Sequence, residues 1–594
     1  MTKRQFQWAI TIFVGSVIII GGAFLLLWQA FWPHVQGLPF GSNNRVISFH
    51  EHHRIDPEAE SLIFGDRLLP GDAPQPFIHD DVIYLPMSFL QANLDQFLFW
   101  DEYASALFVT TRDDVLTFYL HQPRFYINGQ PRTMEHPIRM IEDEIFLPAS
   151  LAEGLYPITA RHYEEYNLIV VEDIRLPRTT AQLTRRGNIR FRENANSPIA
   201  VRAPIGSTVA VFEESGDFTR VRNEDGLVGW VLTEAIGETS SYYPLLDPEN
   251  EIQPLLGEFV NNHVHHPPNW PTGKSVVMAW DSIYVHAANS VMMDNPLHES
   301  LNVISPMWFR LDEETMGITS LACPEYVAWA QGEGVQVWPY VFDVFYNHSN
   351  AILTNREARQ GVIDTLLQYV DDLGLDGINI GFEHIRPADG PYLIQFLREL
   401  APGMRQRGAV LSKNVLVPRP YTAFYRRDLM AYTLDFIVIM AYDEHWHSAP
   451  TSGPVASLPF VQRGINDSLE QVPREQLVLG VPFYNRIWRE VIGDNTVETR
   501  QRRYHGTAYT RDWFEYNGVQ WEWLPETGKY FGYFPAQEDG VPVIYLVWLE
   551  CERSMDLKLQ MAVGYELGGV SVWNRNFRHN EGLWEVMGQY FGSR

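Results

Sequence analysis

The chain has 594 residues, 45% of them hydrophobic and 20% charged. That is too long for one core and too apolar for a disordered chain, so several globular domains are expected. The formal net charge of −28, from 45 Lys and Arg against 73 Asp and Glu, excludes nucleic acid as a partner and docking of the chain's bulk onto anionic lipid, because both need clustered cations.

At the N-terminus Lys3 and Arg4 precede an uncharged run, 8–32, long enough to cross a bilayer as a helix. Trp8, Trp28 and Trp32 stand near its ends, where interfacial aromatics belong. No small-x-small cleavage site follows Leu27, and no cysteine is present for lipid attachment. Residues 1–34 are therefore expected to be a cytoplasmic stub and single-pass signal anchor. The positive charges before the span place the rest of the chain outside the cell membrane.

An internal echo follows. Asp81-Val-Ile-Tyr-Leu-Pro86-Met-Ser88 returns as Asp143-Glu-Ile-Phe-Leu-Pro148-Ala-Ser150. Each copy leads into a helix-like stretch and then a strand, and Asn128-Gly129 between them is a hairpin turn signal. Repeated β-β-α-β units predict a duplicated α+β domain over 45–175. Over 180–238, short strands alternate with turns and close on Asp225-Gly226-Leu-Val-Gly229-Trp230-Val231, which predicts a small β-barrel. Trp230 reads equally as a ligand platform or as core. A proline-bearing linker, 239–272, leads into the last region.

Residues 273–594 alternate strand and helix signals. Eight β-like segments, at 275–280, 303–307, 335–342, 377–382, 414–417, 436–440, 477–482 and 569–573, predict a (β/α)8 TIM barrel. An aromatic-rich stretch of about 489–547, with Trp513, Trp521, Trp523, Tyr530 and Tyr533, predicts an α+β insertion along one side of a cleft. Sites in such barrels lie at the strand C-termini, where Glu383, Tyr442, Asp443, Tyr484 and Trp573 fall. In the segment Asp376-Gly377-Ile378-Asn379-Ile380-Gly381-Phe382-Glu383, strand alternation puts Asn379, Gly381 and Glu383 on one face. A carboxylate on that inner face is either satisfied by neighbouring donors or has chemistry to perform. Cys323 and Cys551, the only cysteines, read as separately buried thiols, and too few for a cysteine zinc site. The histidines at 263, 265, 266, 445 and 447 lack ordered carboxylate partners, so neither metal nor cofactor is expected.

Asp376 to Glu383 resembles the Asp-Gly-x-Asp-x-Asp-x-Glu signature of glycoside hydrolase family 18, closest to its spore-cortex-lytic and cell-wall branch. Met440-Ala-Tyr442-Asp443, Leu479-Gly-Val-Pro482-Phe-Tyr484-Asn-Arg486, and Ser554-Met-Asp-Leu-Lys558 with Gly569-Val-Ser-Val-Trp573 resemble its later motifs in the same order. The region 45–175 resembles copper-amine-oxidase N-terminal-like domains, without paired histidines for copper, and 180–238 resembles bacterial Src-homology-3 type domains. The family 18 resemblance implies retaining hydrolysis of N-acetylglucosamine-containing wall polymers, peptidoglycan or chitin-like, with the substrate's own acetamide as nucleophile. It implies Glu383 as general acid and base and Tyr442 as acetamide partner. Asn379, Asp443, Tyr484, Arg486 and Trp573 would line the sugar subsite, and Asp376 and Gly377 would be structural. Gly381 stands where the family carries its acetamide-orienting Asp. Because 381 and 383 share a face, a carboxylate there is expected to reach Glu383, and Gly381→Asp to raise activity. The alternative reading is a non-catalytic sugar-binding protein of the wall.

Overall fold

The two echoed strands are neighbours. Val82–Pro86 and Glu144–Pro148 pair antiparallel with Leu85 opposite Leu147, and each runs directly into a short helix, Met87–Asn93 and Ala149–Leu155. Their inward residues, among them Leu85, Leu90, Leu147 and Leu155, are buried. The computed structural model describes residues 43–246, 252–343, 346–492, 497–577 and 579–592. The expected membrane span at 8–32 lies outside them. Among the described residues no helix is long and apolar enough to cross a membrane.

The chain divides into two compact units, one of residues 1–94 with 138–260, the other of 95–137 with 261–594. In the first, a seven-stranded antiparallel sheet is built from the strands between Arg178 and Tyr242. Its inner residues Leu183, Ile189, Val209 and Val221 share one core with Phe49, Ile63, Leu168 and Val170 of the preceding region. Trp230 is buried, with the Arg220 guanidinium 5.7 Å from its ring centre. The regions expected at 45–175 and 180–238 thus bury apolar surface together within this unit.

The second unit departs from the expected boundaries. Five antiparallel strands spanning Phe99 to Thr133 form their own sheet, and this stretch groups with the barrel rather than with the rest of 45–175. The reason is a set of polar and apolar ties that local patterning cannot reveal. Arg359, fully buried, bonds Asp101 at 2.9 Å and Glu399 at 3.1 Å. Arg398 donates to the Thr110 carbonyl and lies 3.9 Å from the Phe97 ring centre.

The barrel strands are β1 (Val276–Asp281), β2 (Val303–Asp312), β3 (Tyr340–Phe342), β4 (Gly377–Gly381), β5 (Val410–Leu416), β6 (Phe436–Met440), β7 (Leu477–Pro482) and β8 (Gly569–Trp573). All pair in parallel, and β1 closes the ring by pairing with both β2 and β8. Alternation splits their side chains as a closed parallel sheet requires. Ile378, Ile380 and Phe382 face the helices, while Trp280, Trp338, Tyr340, Val438 and Val478 fill the interior. The strand expected at 414–417 begins four residues earlier, at Val410. The polar run Ser412-Lys413-Asn414 hides it from a hydrophobicity reading. Between β7 and β8, five antiparallel strands and the helix Thr507–Tyr516 form the α+β insertion, which starts at Asn485 and ends at Leu549. Trp513 and Trp521 pack on the insertion's own core around Phe514 and Phe534.

Candidate active site

Helix Arg356–Leu373 delivers the chain to β4. Asn355 caps its start, accepting from the Ala358 amide at 3.1 Å, and Gly374 ends it at φ 61°, a left-handed cap that glycine adopts at low cost. Asp376 then accepts from the Val337 amide and from Gln331, both at 2.9 Å, tying the entry of β4 to the preceding strand. A Cβ on Gly377 would press on Trp338 and the Val410 carbonyl at 2.8 Å. Both residues position backbone and face no cleft.

Asn379 is fully buried inside the barrel and its hydrogen bonds fix its orientation. The Trp280 indole can only donate, so its 3.1 Å contact identifies the Asn379 oxygen. The Asn379 amide then donates to Ser412 at 2.8 Å and to the Asn414 oxygen at 3.0 Å. That leaves the Asn414 amide to bond the Tyr340 hydroxyl. Tyr340 in turn donates to Glu383 Oε1 at 2.8 Å. Each link dictates the next, and the chain of donors ends on the carboxylate of Glu383.

Glu383 sits just past the end of β4, partly accessible to solvent. Burial raises its pKa above the ordinary carboxyl value, against the Tyr340 hydrogen bond and the charge of Lys413, which pull it down. Its backbone N–H is held at 3.0 Å by Asp343, which also binds the His384 amide at 3.1 Å. The hydrogen bond that the His384 ring gives to the Asp343 carboxylate raises the His384 pKa. Lys413, wholly buried on β5, donates to the Phe382 and Asn414 carbonyls at 2.9 and 2.8 Å, and burial pushes its pKa down to about 8.

Tyr442 follows β6. Its hydroxyl is buried and has no hydrogen-bond partner among the described residues. Burial, then the Glu383 and Asp443 carboxylates, hold its phenol well above the ordinary pKa, so it is a neutral donor. Asp443, at φ 56°, accepts from the Tyr484 hydroxyl and from Arg486, which bridges in from the first strand of the insertion. Trp573 ends β8 opposite Pro482, half-buried, its ring centre 5.6 Å from Trp280.

Gly381 is the residue whose surroundings differ most from expectation. Its φ lies outside the left-handed region, so the backbone does not require glycine there. A Cβ at 381 would overlap Cε2, Cζ and Oη of Tyr340. The space for an aspartate is occupied by a buried, doubly hydrogen-bonded ring, so the expected gain from Gly381→Asp is corrected: that change collides with Tyr340.

Tyr340, Asn414, Lys413, Asp343 and Trp280 escaped the sequence reading. Alternation along 335–342 puts Tyr340 on one face with Trp338, but nothing local says which residue of another strand it meets. Among the described residues no three His, Cys, Asp or Glu side chains gather as a metal site would. Both cysteines are buried and free.

Residues 346–577 match the family Glycosyl hydrolases family 18, and residues 71–156 match the Copper amine oxidase N-terminal domain. Protein YdhD of Bacillus subtilis (strain 168) is 26% identical over 249 residues, 39% of this chain and 54% of that protein. The cortical fragment-lytic enzyme of Bacillus anthracis is 26% identical over 236 residues, 38% of this chain and 52% of the enzyme. Among solved structures, the spore cortex-lytic enzyme SleL of Bacillus cereus aligns at 17% identity and a TM-score of 0.47, over 54% of this chain and 75% of that one. The chain spans about half the length of these two curated relatives.

Proposed function

We propose that the barrel is a retaining glycosidase of family 18 type, cleaving N-acetylglucosamine-containing cell-wall polymers with the substrate's 2-acetamido group as nucleophile. The observation that carries this reading is the buried hydroxyl of Tyr442, without a partner among the described residues and close enough to feel the charge of Glu383. One donor is free to hold an acetamide carbonyl, and one carboxyl is kept protonated to higher pH than usual.

In the reaction, the Glu383 carboxyl gives its proton to the glycosidic oxygen, and the C1–O bond breaks with its electron pair going to that oxygen. The acetamide carbonyl oxygen closes on C1, forming a cyclic oxazolinium ion whose carbonyl end Tyr442 steadies. Water then adds to C1, gives a proton to the Glu383 carboxylate, and the ring reopens with net retention. Asp443, held from behind by the buried Tyr484 and Arg486, takes sugar hydroxyls, and Trp573 lies under the sugar ring at the cleavage point.

Purified protein incubated with peptidoglycan and with chitooligosaccharides, followed by mass spectrometry, tests this. Glu383→Gln should abolish product formation, and Tyr442→Phe should lower kcat by about 10²–10³-fold, as loss of one preorganised donor does. Gly381 favours a second reading, a sugar-binding barrel without turnover, which predicts binding of the same oligomers and no products. The run at 8–32 supports a membrane anchor with the barrel outside. Protease added to intact cells should remove the barrel, and complete protection would exclude that placement.

A further inference from the structure

We infer that Tyr340 and Gly381 are an exchanged pair, in which the Tyr340 hydroxyl positions the substrate acetamide in place of a carboxylate at 381. This rests on the glycosidase reading above and names the residue that completes its site. The pair stands side by side: Tyr340 is in register with Asn379 and Phe342 with Gly381. From that position the Tyr340 ring extends over Gly381, where any Cβ would overlap it. Its hydroxyl bonds the Asn414 amide and donates to Glu383. The phenol donates its one proton to Glu383 and is an acceptor as well, so an acetamide N–H arriving next to the general acid would share the Tyr340 oxygen with the Asn414 amide.

The arrangement divides the work between two tyrosines. Tyr442 donates to the acetamide oxygen and Tyr340 accepts from its nitrogen, which turns the carbonyl toward C1. Once Glu383 has given up its proton, the Tyr340 O–H holds the resulting carboxylate beside the oxazolinium ion. A neutral phenol supplies orientation without charge, so the counter-charge comes from Glu383 and the neighbouring carboxylates rather than from residue 381. The matched family segment begins at residue 346, beyond Tyr340, so the family match does not reach this residue.

The test is a swap. Tyr340→Phe keeps the ring and removes the hydroxyl. Its Tm should fall by only a few degrees, the cost of an unpaired Asn414 amide, while kcat falls by about 10²–10³-fold. The alkaline limb of its pH–rate profile should move to higher pH, because a donor that stabilised the carboxylate is gone. Gly381→Asp alone should lose activity and thermal stability, and Tyr340→Ala with Gly381→Asp should exceed either single variant by at least about tenfold, the non-additivity expected of groups sharing one space. An unchanged kcat and pH profile in Tyr340→Phe, or a Gly381→Asp enzyme faster than wild type, would overturn the exchange. Should wild type cleave none of the amino-sugar polymers, the glycosidase reading fails on its own. The exchange is then read from the Glu383 carboxyl titration by carbon NMR, which should sit lower in wild type than in Tyr340→Phe; equal values would overturn it.

Discussion

Lys413 shows how one residue ties stability to the site. It is a cation wholly inside the barrel wall, satisfied by two carbonyls and facing the field of Asp343 and Glu383. Its folded pKa, about 8, lies below that of an unfolded lysine, about 10.4. Between those values the unfolded chain binds more protons than the folded one, so this residue's contribution to stability rises with pH. Urea denaturation of wild type and Lys413→Met should show the wild-type advantage growing from pH 7.5 to pH 10, by roughly 3 kcal/mol at most. A constant difference would mean the lysine keeps its proton throughout. Trp573 argues differently, through area. Half-buried against Trp280 at the end of β8, it offers a flat apolar face, and Trp573→Ala should weaken calorimetric binding of chitotetraose at least tenfold while the barrel still folds.

Between elements, the decisive contact is the triad of Arg359 with Asp101 and Glu399. It joins the sheet from Phe99 to Thr133 to helices Arg356–Leu373 and Gly390–Gln406. All three side chains are buried, so their pairing offsets a desolvation cost and adds little by itself. Removing one partner is another matter. Arg359→Met leaves two carboxylates in the interior and should cost about 3–5 kcal/mol, read as a lower midpoint in urea. Asp101→Asn leaves Arg359 paired with Glu399 and should cost clearly less. Equal costs would show that the sheet's carboxylate carries the link alone. The histidine-bearing segment after residue 260 belongs to the same junction, with Asn262 donating to the Thr110 carbonyl and Asp95, and His265 stacked on Tyr432 at 3.8 Å.

For the whole molecule, the chain passes between its two units at residues 94–95, 137–138 and 260–261. A fragment of residues 261–594 holds all eight barrel strands and every candidate site residue, yet lacks the sheet that covers Arg359 and Arg398. We expect it to melt below the same unit in the full chain and to aggregate, because Arg359 loses Asp101, Arg398 loses the Thr110 carbonyl, and the apolar surface that Phe97 and Phe99 cover is exposed. Differential scanning calorimetry of the fragment and the full chain checks this. A fragment as stable as the full chain would show that the sheet is a dispensable cover.

What the sequence alone determined follows from local rules. Period-two alternation placed Asn379, Gly381 and Glu383 inward, and strand–helix alternation marked the eight-stranded barrel with its insertion, because both patterns are written within a few residues of chain. The motif order placed Tyr442, Asp443, Tyr484 and Trp573 at strand ends for the same reason. What only the tertiary structure decided is who meets whom. Gly381 reads as a missing carboxylate until closure of the barrel lays Tyr340, from another strand, over it. Residues 95–137 read as part of a duplicated domain until Asp101 and Thr110 meet Arg359 and Arg398, more than 250 residues on. Steric exclusion and burial of charge act between groups close in space at any separation along the chain, and no local pattern encodes that neighbour.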